Sequence, residues 1–303
     1  MMIISVEKKL LMSYNIYGDI MKNKVVIVGC GNVGMSYAYA LLNQRTSVNE
    51  LVLIDLNMER VNGEVMDLNH CLAFAPSKID IKAGTYDDCR EADIVVIAAG
   101  ANQNPGETRM DLINKNSKIF KSIVGSVMQS GFNGIFLVAT NPLDVMTYLT
   151  WKYSGLPSNK VIGSGTSLDT ARLRYLIGDR LKINPKNVHA YVIGEHGDSE
   201  IVPWSQAYIT TKKVYDIIDS SNGKFNFDDL YKISQSVTSA AQKIIKAKSA
   251  TYYGIGMSLV RIVRAIFGDE KSALTVSVML NGQYGIKDVY AGLPAIIGRN
   301  GIE

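Results

Sequence analysis

Short runs of branched apolar residues alternate with helix-like patterns along the first half of the chain. KVVIVG (24–29) runs into GCGNVG, then into MSYAYALLNQ (35–44), whose apolar residues recur at helical spacing, and then into ELVLID (50–55). Strand, glycine turn, helix, strand is the opening unit of a parallel sheet. KIDIKAG (78–84), ADIVVIAAG (92–100) and GIFLVATNPLD (134–144) predict further strands. The last two are apolar throughout, as strands covered on both faces must be. Between them, residues 106–131 predict a helix, with Leu112, Ile113, Ile119, Ile123 and Val127 at helical spacing. Ligands of such sheets bind beyond the carboxyl ends of the strands, here near 100–107 and 140–142.

The pattern changes from about Leu168. SLDTARLRYLIGDRL (167–181) reads as a capped helix, and VHAYVIGEHGDSEIVPW (188–204) as strand-like sequence with a polar break. A helical region from Phe227 to Phe267 is interrupted by YYGIG, and short strands such as ALTVSVML (273–280) follow. The expected fold class is α/β, a doubly wound parallel sheet with a C-terminal α+β domain. The boundary falls near 163–167, giving domains at 22–164 and 165–303, and residues 1–21 read as an extension outside the core fold. With no repeats or flexible linkers, the domains should pack tightly and hold the site between them.

Composition narrows the function. The 303 residues are 47% apolar and 20% charged, a folded chain with a substantial core. The 32 basic and 28 acidic residues leave a net charge of +4 with no basic run, so nucleic acid is not the expected partner. Cys30, Cys71 and Cys89 lack CxxC spacing and read as reduced thiols of a cytoplasmic protein. No apolar run approaches 18 residues, so no membrane span is expected. The opening segment breaks at Glu7 and does not read as a signal peptide.

A lone GxGxxG is weak evidence, and a tight turn in some other doubly wound sheet is the alternative. Here both flanking strands and a terminal acid are in place, which makes the unit a Rossmann-type dinucleotide site. Gly29 would form the tight turn, Gly31 allow close approach of a pyrophosphate, and Gly34 let helix pack on strand. Asp55, ending the second strand, can accept from both ribose hydroxyls, and its charge would repel the extra phosphate of NADP. NAD is the expected cofactor.

VIGEHGDSE (192–200) places His196, one of three histidines, between glycines. His70 and His189 are far away in sequence and there is no HExxH, so no metal site is expected. A GxSxG elbow is also missing. LDTAR (168–172) puts Asp169 and Arg172 on one helix face. From spacing alone, a surface ion pair is the simpler account of them. Arg109 stands where a first helical turn prefers acids, which hints at duty on a mobile loop, with a solvated loop arginine as the alternative. A dinucleotide site combined with a histidine, an aspartate and arginines points to hydride transfer coupled to proton transfer.

In GCGNVG, ANQNPGETR, ATNPLD, GSGTSLDTARLR, GEHGDSE and KSATYYGIG, in this order, the chain from about residue 22 to 303 resembles bacterial L-lactate dehydrogenases of the lactate/malate dehydrogenase family. The resemblance implies a cytoplasmic homotetramer of fermentative glycolysis that interconverts pyruvate and L-lactate. It gives His196 the role of proton donor and acceptor, Asp169 that of its orienting partner, Arg172 the substrate carboxylate, and Arg109 polarisation of the ketone. Asn141 would touch cofactor and substrate, and Thr251 would line the pocket near the substrate's methyl end. Further cofactor contacts are implied at Asn32, Val33, Gly100 and Ala101. Malate dehydrogenases of the family carry an arginine where this chain has Gln103, and a glutamine cannot pair with a second carboxylate. Arg174 and His189 match an interface site for the activator fructose 1,6-bisphosphate, with ordinary interface residues as the alternative. The family pattern continues beyond GRNGIE (298–303) into a strand and a closing helix, and this departure keeps open a catalytically impaired NAD-binding subunit. A malate or broad 2-oxoacid dehydrogenase is the other alternative.

Overall fold

The computed structural model describes residues 22–101 and 106–303. The expected extension at 1–21 and Gln103 lie outside the described residues. Strands β1 (Lys24–Val28), β2 (Glu50–Ile54) and β3 (Asp80–Ala83) pair in parallel on one side of the sheet. From the other side of β1 run β4 (Ile94–Ile97), β5 (Ile135–Val138) and β6 (Val161–Gly163), also parallel. The order β3-β2-β1-β4-β5-β6 is the doubly wound arrangement expected from the sequence. Connecting helices are α1 (Asn32–Asn43), α2 (Met58–Cys71), α3 (Arg109–Gln129) and α4 (Leu143–Ser154).

Alternation along the strands separates two cores. Val25, Ile27, Leu51 and Leu53 face a layer that includes Leu41 of α1. Val26, Val28, Val52 and Ile54 face Phe120 and Val124 of α3 and Met146 of α4. Burial on both faces is why these strands read as unbroken apolar runs.

The second half begins with α5 (Ser167–Leu181), followed by a small antiparallel sheet of β7 (Val188–His189), β8 (Tyr208–Ile209) and β9 (Lys212–Lys213). Helices α6 (Val214–Ser220), α7 (Phe227–Lys248) and α8 (Tyr253–Phe267) come next. Leu173, Val192, Leu230 and Val237 belong to a third core in this half. The chain closes with β10 (Ser272–Asn281), β11 (Lys287–Gly298) and β12 (Gly301–Ile302).

Three features add to or correct the sequence reading. First, the closing strands extend the parallel sheet. β10 pairs antiparallel with β6 through Ser277 and Gly163, so one nine-stranded sheet spans both halves among the described residues. Second, between 188 and 203 regular pairing shrinks to the two-residue β7 and two isolated bridges, Ile193 with Ile201 and Gly194 with Gly292, and side-chain hydrogen bonds hold much of the rest. Third, YYGIG does not break the helix. The break lies just before it, where Ser249 adopts φ +70° after α7, and α8 restarts at Tyr253. Its glycines serve close packing. A Cβ on Gly254 would sit 2.6 Å from Leu168, and one on Gly256 would sit 2.9 Å from the backbone of Ser36 in α1.

Gly256→Ala tests this account. Helix propensity favours alanine by about 1 kcal/mol, whereas forcing a methyl against rigid backbone costs about 1–3 kcal/mol. Packing should prevail and lower the Tm by a few degrees in a thermal melt. A raised Tm would show that the contact between α1 and α8 has slack.

Candidate active site

The glycine turn is built from incompatible demands that only glycine meets. Gly29 holds φ +106°, and a Cβ there would strike the backbone of Ala99 at the end of β4. A Cβ on Gly34 would strike the carbonyl of Gly29, so helix α1 could not come down onto the turn. Gly31 caps α1 and has no described atom within 4 Å of its Cβ position, which leaves the helix N-terminus open. No acid stands in the first turn of α1, so the free N–H groups and helix field are available to a phosphate. Asp55 ties the turn to β2: one carboxylate oxygen accepts from Cys30 N–H at 2.7 Å, the other from Asn57 N–H at 3.2 Å. Burial, then the Asp55 charge, pushes the Cys30 thiol up to about 12 and keeps it protonated. These residues fit a dinucleotide: Gly29 to Gly34, with Asn32 and Val33 opening α1, would hold the pyrophosphate, and Asp55 the ribose.

At the other end of the cleft, α5 carries Asp169 and Arg172 one turn apart. They do form an i,i+3 ion pair, at 2.7 Å, but not on the surface: the Asp169 side chain is 2% exposed and that of Arg172 13%. The second carboxylate oxygen of Asp169 meets His196 Nδ1 at 2.6 Å. Asp169 therefore has a cationic partner on each oxygen. Burial works against its charge, but the bond to His196 and the charges of His196 and Arg172 prevail and hold it below the usual carboxylate range. For His196, burial alone would lower the pKa. The hydrogen bond and charge of Asp169 outweigh it, helped by Asp144 and Glu200, and the ring stays protonated to higher pH than a free histidine.

What aims His196 at Asp169 is a set of ties the sequence did not disclose. Val192 donates its N–H to Thr170 Oγ1 at 2.9 Å and accepts from Thr166 Oγ1 at 2.5 Å, which fixes this segment to α5. Gly194 exchanges two 2.8 Å backbone hydrogen bonds with Gly292 of β11. The His196 N–H donates to Asp144 at 2.8 Å, and Ser277 of β10 donates to the other Asp144 oxygen at 2.5 Å. Asp144 is thus a buried positioning residue joining α4, β10 and the histidine loop. Burial raises its pKa despite both donors. Asn116 plays a comparable part: it accepts from Ala101 N–H at 2.8 Å and donates to the Asn141 carbonyl at 3.0 Å. Its signal in the sequence was a polar residue in register with Leu112, Ile113 and Ile119, and in the structure it is fully buried.

Asn141, Asp169, Arg172 and His196 line one cavity of about 460 Å3, together with Glu200 and Thr238. Gly100 lies close to Thr140, and Ala101 is linked to Asn141 through Asn116. Arg109 is the first residue of α3, beside a capping box in which Thr108 and Asp111 exchange hydrogen bonds. Thr251 is half-buried between α7 and α8 and is not among the residues lining this cavity. Arg174 donates to the Ala190 carbonyl at 3.1 Å, one residue beyond exposed His189. Asp169, His196 and Glu200 form a cluster with metal-ligand types, but the first two already engage each other.

Asp169→Asn should keep a hydrogen-bond acceptor beside the ring and remove the charge. With only three histidines in the chain, an NMR titration can follow His196, and its pKa should fall by about 1–3 units. An unchanged titration would place the cause elsewhere.

Residues 23–163 match the family described as lactate/malate dehydrogenase, NAD binding domain, and residues 166–303 match lactate/malate dehydrogenase, alpha/beta C-terminal domain. L-lactate dehydrogenase 2 of Bacillus cereus is 55% identical over 281 residues, which cover 93% of this chain and 89% of that protein. A lactate dehydrogenase from a Medee basin deep-sea metagenome library superposes with a TM-score of 0.91 at 55% identity, over 94% of this chain and 90% of that one. The ligand-bound minor L-lactate dehydrogenase of Enterococcus mundtii does so with a TM-score of 0.91 at 47% identity and the same coverage. With both halves of the chain matched and its nucleotide turn and buried His–Asp–Arg cluster in place, the chain belongs to the lactate/malate dehydrogenase family.

Proposed function

We propose that the chain is an L-lactate dehydrogenase, interconverting pyruvate and L-lactate with NADH and NAD+. The observation that carries this reading is the buried Asp169, bound to His196 on one oxygen and Arg172 on the other, in a cavity beside Asn141. Bound NADH supplies a hydride. Arg172 holds the substrate carboxylate through a two-pronged pair, which its planar fork suits. His196, kept protonated by Asp169, gives a proton to the ketone oxygen as the carbonyl carbon gains the hydride, and takes it back in the reverse direction. Arg109 polarises the ketone, Asn141 meets cofactor and substrate, and Thr251 serves the methyl end. The similar proteins of Bacillus cereus and Enterococcus mundtii are named L-lactate dehydrogenases, which supports pyruvate over oxaloacetate. So does Gln103, which offers no cation to a second carboxylate.

NADH oxidation by this chain should proceed with pyruvate at a higher kcat/KM than with oxaloacetate. A preference for oxaloacetate would make it a malate dehydrogenase. His196→Asn should lower kcat by roughly 10²–10⁴-fold while NADH still binds, and near-normal turnover would remove His196 from the chemistry.

We further propose a cytoplasmic homotetramer activated by fructose 1,6-bisphosphate. The unpaired cysteines fit a reducing compartment. Arg174 and His189, brought to neighbouring positions through Ala190, supply the phosphate-binding groups at a subunit interface. Millimolar fructose 1,6-bisphosphate should lower the pyruvate KM and favour the tetramer in sedimentation together. Activation that survives Arg174→Gln combined with His189→Gln would put the site elsewhere.

A further inference from the structure

Two ionisable side chains of the cavity have no part in the proposed chemistry: Asp198, which is exposed, and Glu200, which is half-buried. Glu200 is the informative one. A carboxylate oxygen of Glu200, a ring nitrogen of His196 and a carboxylate oxygen of Asp169 all lie within 4.8 Å of one another. Glu200 Oε1 is shielded from solvent and has no hydrogen-bond partner among the described residues. A carboxylate in that position is costly to keep charged.

We propose that Glu200 is a second proton site of this cavity, and that its charge governs how well the substrate carboxylate is held beside Arg172. Neutral Glu200 leaves Arg172 and protonated His196 to attract the incoming anion. Ionised Glu200 opposes it. The inference rests on the dehydrogenase reading of the site and adds to it a control on substrate binding.

The groups facing Glu200 set the pH at which this happens. From α5 come Asp169 and Arg172, and from its own loop His196 and Asp198. Asp144 of α4 lies behind the His196 amide. Thr238 and Gln242 of α7 are uncharged, and Lys243 lines the adjoining groove with Asp198. Burial, then the Asp169 charge, raises the Glu200 pKa to about 7, against the pull of His196, the Thr238 hydroxyl and Arg172. The group therefore titrates in the range where the enzyme would work.

His196 titration also affects binding, but its signature differs. Pyruvate requires protonated His196 and lactate requires the neutral ring, so rising pH weakens one acid and strengthens the other. Glu200 ionisation weakens both, because both carry a carboxylate. Measuring KM for pyruvate and for lactate from pH 6 to 8 at saturating cofactor separates the two groups. Glu200→Gln should lower the KM of both acids at pH 8, on the order of tenfold for lactate, where the lowered His196 pKa acts in the same direction, and less for pyruvate, where it acts against. Glu200→Ser should do the same, which covers a glutamine variant that folds poorly. Slopes unchanged for both acids, even with a shifted melting temperature, would reduce Glu200 to a packing residue and overturn the inference. Absence of pyruvate turnover in the unmutated chain would instead sink the reading of the site, and this inference with it.

Discussion

The carboxylate of Asp169 is the constraint around which this molecule is arranged. It is withdrawn from water in the first turn of α5, and a buried charge stays ionised only when it is closely partnered. Its partners are His196 and Arg172, one on each oxygen. Neither partner is incidental. Removing the proton from His196 would leave the carboxylate with half of its compensation, so the charge of the ring and the burial of the acid sustain each other. Because Asp169 and Arg172 sit one turn apart on the same helix, the acid that orients His196 and the cation proposed to hold the substrate share one rigid frame.

That frame would be of little use if the histidine loop could drift. The loop has almost no regular structure of its own, and its position is imposed from three directions: Thr166, just before α5, and Thr170 within it on Val192, Gly292 of β11 on Gly194, and Asp144 of α4 on the His196 amide. Asp144 also accepts from Ser277 of β10, the residue through which β10 pairs with β6. The continuation of the parallel sheet into an antiparallel hairpin is therefore what connects the nucleotide half to the histidine.

The first half was legible because its physics is local. Strands covered on both faces must be apolar runs, and a turn that must pass under a helix must contain glycine at Gly29 and Gly34. The span of helix α5 was legible for the same reason, but not its start: the expected side-chain cap is missing, and the Thr166 hydroxyl donates to the Val192 carbonyl instead. The ion pair between Asp169 and Arg172 was visible as spacing, but spacing carries no information on burial, and burial is what turns a surface pair into an orienting one. Asp144, Glu200 and Thr170 were not singled out, because each acts on a residue distant in sequence and resembles an ordinary polar residue locally. YYGIG misled for a related reason. Glycine is a poor helix former, and only the proximity of Ser36 in α1 makes it the residue the helix needs there.

The charge balance of the cavity bears on substrate class independently of any motif. Among the described side chains lining it away from bulk water, Arg172 and protonated His196 are cationic and Asp169 is anionic, which leaves one positive charge in excess when Glu200 is neutral. A monoanionic 2-oxo acid brings the site to neutrality. A dicarboxylate would bring a second negative charge close to Asp169 with no second cation beside Arg172 and His196 among the described lining residues, and at a low effective dielectric such a charge is strongly disfavoured. Ionisation of Glu200 removes the positive excess altogether. On this reading the same arithmetic that selects pyruvate over oxaloacetate also makes its binding depend on a proton held by Glu200, so substrate choice and pH response are two consequences of one small, nearly closed set of charges.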